Sequence, residues 1–267
     1  MLCKDVINVI ETAYPRQYAM DWDNVGLLAG RDDKEVRRIY IALDATDEVI
    51  DDAVLRKADM LVTHHPLIFS GMKRINNQDF IGNRVLRLIQ NDISYYAMHT
   101  NYDVMGMAEL SVKKLGIEKS EVLEVTCVEE YPDECGNKRI EGIGRIVELE
   151  SEVTLKECCE RVKNAFQLSS VRLFGNSSSQ VKRIAICPGS GKSVIPVSLA
   201  KGADVLITGD IGHHEGIDSV AQGMAIIDAG HYGIEHIFIE DMKAYLEKNT
   251  KEIEVVAETI HHPFVMI

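Results

Sequence analysis

The six cysteines, Cys3, Cys127, Cys135, Cys158, Cys159 and Cys187, include no pair at Cys-x-x-Cys spacing. That lack removes the signals of a zinc knuckle and of a thioredoxin-like redox site. Long apolar runs are missing too. None is long enough to span a membrane, and Met1-Leu2-Cys3-Lys4-Asp5 has no apolar signal core. A reduced, cytoplasmic setting is the expectation. Positive charge is scarce: 29 Lys and Arg against 42 Asp and Glu leave a net charge of −13. Binding nucleic acid through its phosphates calls for a basic stripe, so nucleic acid is not an expected partner. A small anion held in a local pocket is not excluded. Trp22 is the single tryptophan; lying among polar turn-formers, it is expected to plug the core with its indole N–H bonded nearby.

What the chain does have is histidine at the ends of apolar runs. Thr63-His64-His65-Pro66 closes the run 58–62, and three further stretches join it: His99-Thr100-Asn101-Tyr102-Asp103, Gly209-Asp210-Ile211-Gly212-His213-His214 and His231-Tyr232-Gly233-Ile234-Glu235. Histidines and carboxylates arriving at several strand ends are how a metal site is built on an α/β scaffold.

The pattern between these stretches alternates strand and helix. Helix is expected over 5–13, strand over 38–44, a helix capped by Thr46, strand over 58–62, helix over 79–91 and strand over 93–98. Strand, helix, strand at this length implies parallel βαβ units. The stretch from Cys127 to Lys138 is polar and turn-rich; strands at 143–149 and 170–174 flank a helix at 155–166. No chemistry is evident there. A helix at 233–248 and a strand at 253–257 end the regular pattern.

From 181 the chain repeats itself. Arg38-Ile39-Tyr40-Ile41 corresponds to Arg183-Ile184-Ala185-Ile186, and Ala58-Asp59-Met60-Leu61-Val62-Thr63 to Ala203-Asp204-Val205-Leu206-Ile207-Thr208, both at an offset of 145 (183 − 38 and 203 − 58). The shared Ala-Asp and Thr lift the second match above mere apolar likeness and suggest two related halves. His99-x-x-x-Asp103 matches His231-x-x-x-Glu235 at 132 (231 − 99), as it would if the 66–78 loop were longer than its counterpart.

His64, His65, Asp103, His231 and Glu235 form a mixed imidazole and carboxylate set without thiolates. Such donors suit zinc, manganese or iron(II). Neighbours on a strand point to opposite faces, so His64 and His65 can each serve a different ion once the backbone turns. His231 and Glu235 face one way at i, i+4. Five ligands are too many for one open catalytic ion and about right for two, with Asp103 or Glu235 bridging, an arrangement that activates water. His213 and His214 either line the same cleft or cap the next helix, and His236 is expected to be solvated. Gly189-Ser190-Gly191-Lys192-Ser193 imitates a P-loop, but the required upstream glycine is Ile186, so a tight strand-to-helix turn is expected. His261-His262-Pro263-Phe264 lacks carboxylates nearby in sequence and is left outside the site.

Taken in order, Asp21-Trp22-Asp23-Asn24-Val25-Gly26-Leu27, Thr63-His64-His65-Pro66, His99-Thr100-Asn101-Tyr102-Asp103, Thr208-Gly209-Asp210 and Asp228-Ala229-Gly230-His231-Tyr232-Gly233-Ile234-Glu235 resemble the NIF-three-like family. Its bacterial members carry the label GTP cyclohydrolase 1 type 2 homologue. The resemblance implies an α/β fold of two related domains with a dinuclear metal site in the cleft between them. The domains are expected at 1–124 plus 230–267 and at 125–229. It also implies that His64, His65, Asp103, His231 and Glu235 are metal ligands, and that His99 is a further ligand or an acid/base. A homo-oligomer, with a ring-shaped hexamer favoured, is implied as well.

These readings lead to a metal-dependent hydrolase of a nucleotide or other small anionic substrate, carrying two divalent metal ions per chain. His99 and His214 are its candidate catalytic residues for moving protons. The alternative is a non-enzymatic metal-binding adaptor or metal-handling protein.

Overall fold

The computed structural model describes residues 1–128 and 140–265. The chain runs through helix α1 (Cys3–Ala13), strands β1 (Gly26–Ala29) and β2 (Arg38–Ala42), α2 (Asp47–Leu55), β3 (Met60–Thr63), α3 (Phe80–Gln90), β4 (Ser94–Ala97) and the short α4 (Thr100–Tyr102). A π-helical turn, Asp103–Met107, leads into α5 (Ala108–Lys114), β5 (Glu121–Val128), β6 (Ile140–Thr154), α6 (Leu155–Ala165), β7 (Arg172–Phe174) and β8 (Gln180–Ser190). Then follow α7 (Ile195–Ala200), β9 (Val205–Gly209), α8 (His213–Ala221), β10 (Ala225–Asp228), α9 (His231–Glu235), α10 (Ile237–Asn249) and β11 (Glu254–Ala257). Most of the expected elements are present within a residue or three of their expected ends. Of the polar stretch read from Cys127 to Lys138, Cys127 and Val128 finish β5 and the remainder lies outside the described residues.

Two compact units divide the chain. One is Met1–Tyr102 with Phe238–His261; the other is Asp103–Ile237 with the tail from His262. The boundaries read from the sequence differ at 103–124, at 230–237 and in the tail from 262. The first two segments lie in the second unit because β5 pairs with β6, α5 packs on β6 and β8, and α9 packs on β8 and β9.

The sheet of the first unit has the order β1-β4-β3-β2-β11, with β1 antiparallel and the rest parallel. The inner strands β3 and β4 are buried along their whole length and β2 all but its first residue, as a βαβ arrangement requires, while the edge strand β11 buries only Val255. Tyr40, Ile50, Leu61, Leu88 and Tyr95 join in one core cluster on this sheet. Thr46 caps α2 by accepting from Val49 N–H at 3.2 Å, and the helix buries Val49, Ile50 and Ala53. In α3, Val85 and Leu88 are buried, while Phe80 and Ile89 of the same apolar pattern face outward and Arg84 lies over the Phe80 ring.

The second unit has the order β5-β6-β8-β9-β10-β7, with β8, β9 and β10 parallel. Ile146, Leu206 and Ile226 lie in its core. The internal repeat is visible in the strand register. Ile39↔Met60 in β2–β3 recurs 145 residues later as Ile184↔Val205 in β8–β9. Each third strand, β4 and β10, takes an antiparallel edge partner, β1 and β7. The stretch between β3 and β4, 64–93, is twice as long as that between β9 and β10, 210–224. This difference shortens the offset for the second pair of motifs.

Candidate metal centre

Each unit gathers three of the expected ligands. In the first, ring nitrogens of His64, His65 and His99 lie within 4.8 Å of one another. His64 and His65 follow β3 directly, where the chain has left the strand, so alternation no longer separates them and their ring centroids are 4.9 Å apart. His64 is fully buried, against Phe238 and Tyr102.

The segment His99–Tyr102 is fixed residue by residue. His99 N–H donates to Asn101 Oδ1 at 3.0 Å, Asn101 Nδ2 to the Tyr14 carbonyl at 2.8 Å, and Tyr102 Oη to Asp241 Oδ2 at 2.7 Å. Asp23 grips the segment from the Asp-Trp-Asp-Asn turn. Its Oδ1 lies 2.8 Å from His99 Nδ1, and its Oδ2 accepts from Thr100 N–H at 2.9 Å and Thr100 Oγ1 at 2.6 Å. Burial alone would raise the Asp23 pKa; the bonds from His99 and Thr100 outweigh it and hold the carboxyl down at about 2. His65 is held the same way, with Nδ1 2.8 Å from Asp44 Oδ1.

In the second unit the set is Asp103, His231 and Glu235. Carboxylate oxygens of Asp103 and Glu235 lie within 4.8 Å of each other. His231 opens α9, and its Nε2 lies 3.0 Å from Glu235 Oε2, one turn on. His231 Nδ1 lies 2.8 Å from Asp210 Oδ2. Asp210 leaves β9 at φ 55, in the left-handed region that aspartate tolerates better than most residues. Gly209 must be glycine, since a Cβ there would stand 2.6 Å from the His231 amide nitrogen. Burial, followed by the nearby Asp103 and Glu235 carboxylates, pushes the Cys187 thiol above its ordinary value.

Three aspartates, Asp23, Asp44 and Asp210, thus hold three histidines by Nδ1. Sequence reading gave them no role. Asp23 and Asp210 were visible inside motifs, but Asp44, just past β2, carried no signal beyond its strand-end position. The donor set of imidazoles and carboxylates fits divalent zinc, manganese or iron.

Several expectations fall elsewhere. Trp22 is not a core plug: it is 59% exposed, because the turn is anchored through Asp23 and Asn24 with the indole outside. His236 is buried rather than solvated, its Nε2 3.0 Å from the Phe166 carbonyl and its ring near Tyr232 and His262. His213 and His214 are exposed at the start of α8 and belong to neither set of ligands. The P-loop imitation is a strand-to-helix turn, as expected. It still bears on the site, because a Cβ on Gly189 would stand 2.5 Å from Glu235 Oε1.

The family model described as Duf34/NIF3 (NGG1p interacting factor 3) matches residues 1–263. A protein of Clostridium acetobutylicum called GTP cyclohydrolase 1 type 2 homolog is 37% identical over 248 residues, covering 91% of this chain and 89% of its own. Its namesake from Clostridium perfringens is 33% identical over 271 residues, covering 100% of both. Among solved structures, a Bacillus cereus protein related to NIF3 matches with a TM-score of 0.93 at 26% identity, over 100% of this chain and 99% of that one.

Proposed function

The chain belongs to the Duf34/NIF3 family, and from that premise we propose that it is a metal-dependent hydrolase of a nucleotide or another small anionic molecule. It works with two divalent ions per chain, zinc, manganese or iron. His64, His65, Asp103, His231 and Glu235 would hold them.

The observation that carries this reading is the backing of His65, His99 and His231 by Asp44, Asp23 and Asp210, each at 2.8 Å from Nδ1. A carboxylate on Nδ1 fixes the tautomer, raises the basicity of the ring and aims Nε2 at a ligand position. A histidine that only fills a core needs no such partner. Two bound ions would lower the pKa of water towards neutrality and clamp an anion. The protein's own part is orientation and proton movement. His99 is either a further ligand or, with Asp23 ionised at neutral pH, the group that takes a proton at Nε2 with its charge balanced through Nδ1. His214 is the second candidate for moving a proton.

The burial of His64 and Glu235 favours a second reading, a non-enzymatic metal-binding adaptor or metal-handling protein with a closed structural site. In either case the protein is proposed to be a cytoplasmic homo-oligomer, with the hexamer favoured.

The test is elemental analysis before and after chelation on wild type, His65→Ala and Glu235→Ala, followed by a turnover assay with GTP. About two metal equivalents per chain, lost in the variants together with turnover, is the expected result. Turnover surviving in both variants, or no uptake of Zn²⁺, Mn²⁺ or Fe²⁺, overturns the hydrolase. Metal whose removal lowers the melting temperature and dissociates the oligomer, with no turnover, selects the adaptor.

A further inference from the structure

Trp22 and Phe69, both in the first unit, form an exposed aromatic shelf against His99. They are 59% and 53% exposed, with ring centroids 5.8 Å apart and planes tilted by 43°. His99 meets both rings edge-on, with centroids 5.9 Å from Trp22 and 6.5 Å from Phe69. The turn that carries Trp22 is fastened on both sides. Asp23 holds His99 and Thr100, and Asn24 Nδ2 donates to the carbonyl of Ile68, the residue before Phe69, at 2.5 Å. The turn that aims a histidine of the ligand set therefore also presents the indole and ties down the loop that presents Phe69.

A lone exposed apolar residue is ordinary on a protein surface. Two large aromatic side chains in contact with each other, seated on a histidine of the ligand set, are not accounted for by folding. Phe69 also lines an open cavity of about 400 Å³ together with Met72, Lys73, Arg74 and Asp79, which brings two cationic side chains beside Phe69, while Asp79 Oδ1 is taken by Gly82 N–H at 3.0 Å.

We propose that Trp22 and Phe69 are the platform on which a planar heteroaromatic ring of the substrate stacks, with Lys73 and Arg74 receiving its negative charge. This rests on the reading of the histidine cluster as part of a metal-bearing active site, and it narrows that reading from any small anion to an aromatic one. Aromatic pairs in contact have centroids about 4.5–7 Å apart, so the 5.8 Å between these two leaves no room for a third ring between them. The incoming ring lies on their outer faces.

Trp22 is the only indole, so its fluorescence reports this place alone. The protein as purified is titrated with each of the four common nucleoside monophosphates and, in parallel, with ribose 5-phosphate, which has the anion without the ring. Excitation is at the red edge of indole absorption, where the bases do not absorb. At least one nucleotide should change the Trp22 emission and bind at least tenfold more tightly than ribose 5-phosphate. Equilibrium dialysis should show that Trp22→Ala and Phe69→Ala each weaken that nucleotide roughly tenfold, the size of one base–aromatic stack, while Trp22→Phe restores most of the binding. Lys73→Ala with Arg74→Ala should weaken the nucleotide and ribose 5-phosphate alike. Thermal melts should match wild type, since the altered side chains are exposed.

No response to any of the four nucleotides overturns the proposal, as does unchanged affinity in Trp22→Ala or Phe69→Ala. Emission that follows protein concentration instead of nucleotide marks a contact between copies and overturns it too. Metal content read in the same samples separates the two levels of the argument. Nucleotide binding through Trp22 in a chain that takes up no metal keeps the platform and removes the metal centre. Full metal occupancy with ribose 5-phosphate bound as tightly as any nucleotide does the reverse.

Discussion

Asp23 meets His99 Nδ1 at 2.8 Å with one carboxylate oxygen and takes both Thr100 N–H and Thr100 Oγ1 with the other. The pair joins the Asp-Trp-Asp-Asn turn to the segment after β4, and so couples the geometry of a ligand to the fold. Asp23→Ala should lose on both counts. Metal affinity should fall by about 10- to 100-fold, the usual effect of removing a carboxylate behind a ligating histidine. Stability should fall by about 2–4 kcal/mol, because four donors, Asn24 N–H among them, lose a buried acceptor. Chelator competition and urea unfolding read the two effects separately. Asp44→Asn and Asp210→Asn should reproduce the loss of affinity with a smaller loss of stability, since those carboxylates are 46% and 57% exposed whereas that of Asp23 is buried. Wild-type affinity in all three variants would show that the aspartates do not orient ligands.

Gly189 tests the ligand set of the second unit. Its φ is +74, and a Cβ would stand 2.5 Å from Glu235 Oε1. Gly202 has nearly the same φ, +68, but a Cβ there meets nothing within 4 Å. Gly202→Ala should therefore carry only the backbone cost, about 1 kcal/mol. Gly189→Ala carries that cost and also displaces a buried carboxylate, so it should reduce metal uptake while Gly202→Ala leaves it intact. Equal metal content in the two variants would sink the assignment of Glu235.

The repeat offers a third test. Asp59 Oδ2 accepts from Arg37 N–H and Arg38 N–H at 2.8 and 2.9 Å, and Asp204 Oδ2 accepts from Lys182 N–H and Arg183 N–H at 2.7 Å each. All three positions of each brace are 145 residues apart. Each carboxylate ties the start of one parallel strand to the start of the next, which explains why Ala-Asp recurs in the sequence. Asp59→Ala and Asp204→Ala should each cost about 2–3 kcal/mol, two charge-assisted bonds, in denaturant unfolding. Metal content should be unchanged, because the braces lie at the opposite strand ends from the ligands.

How much of this was legible depended on what kind of signal each residue leaves. The strands and helices announced themselves through apolar period and caps, as with Thr46 before α2. The repeat was visible because its braces need one residue type. His231 and Glu235 could be paired from spacing alone, since i, i+4 fixes a shared helix face. Trp22 and His236 could not be placed. Each sits beside a residue of known role, yet its exposure is decided by contacts made far along the chain: Asn24 with Ile68, and His236 with Phe166. Asp44 was silent because a single aspartate after a strand has many ordinary uses, and only the fold brings it to His65 Nδ1.

Glu258 supplies the pH dependence. It lies just past β11, and Leu43 N–H donates to its Oε1 at 2.9 Å. Burial raises its pKa, the Leu43 bond opposes, and Asp44 adds to the rise, from the ordinary 4.5 to about 7. The sign follows from linkage. Below 4.5 the carboxyl is protonated in native and unfolded chains alike, and its contribution is intact. Between 4.5 and about 7 the unfolded chain has released a proton that the native state still holds, so stability falls as pH rises. Above that window the full cost of a buried carboxylate beside Asp44 remains, about 2 kcal/mol once partial exposure is allowed for. Glu258→Gln keeps an oxygen for Leu43 N–H and removes the titration. Urea unfolding on the acid and alkaline sides of the window should show wild type losing about 2 kcal/mol more than the variant. Parallel losses would mean that Glu258 gives up its proton in the native state as readily as in the unfolded chain.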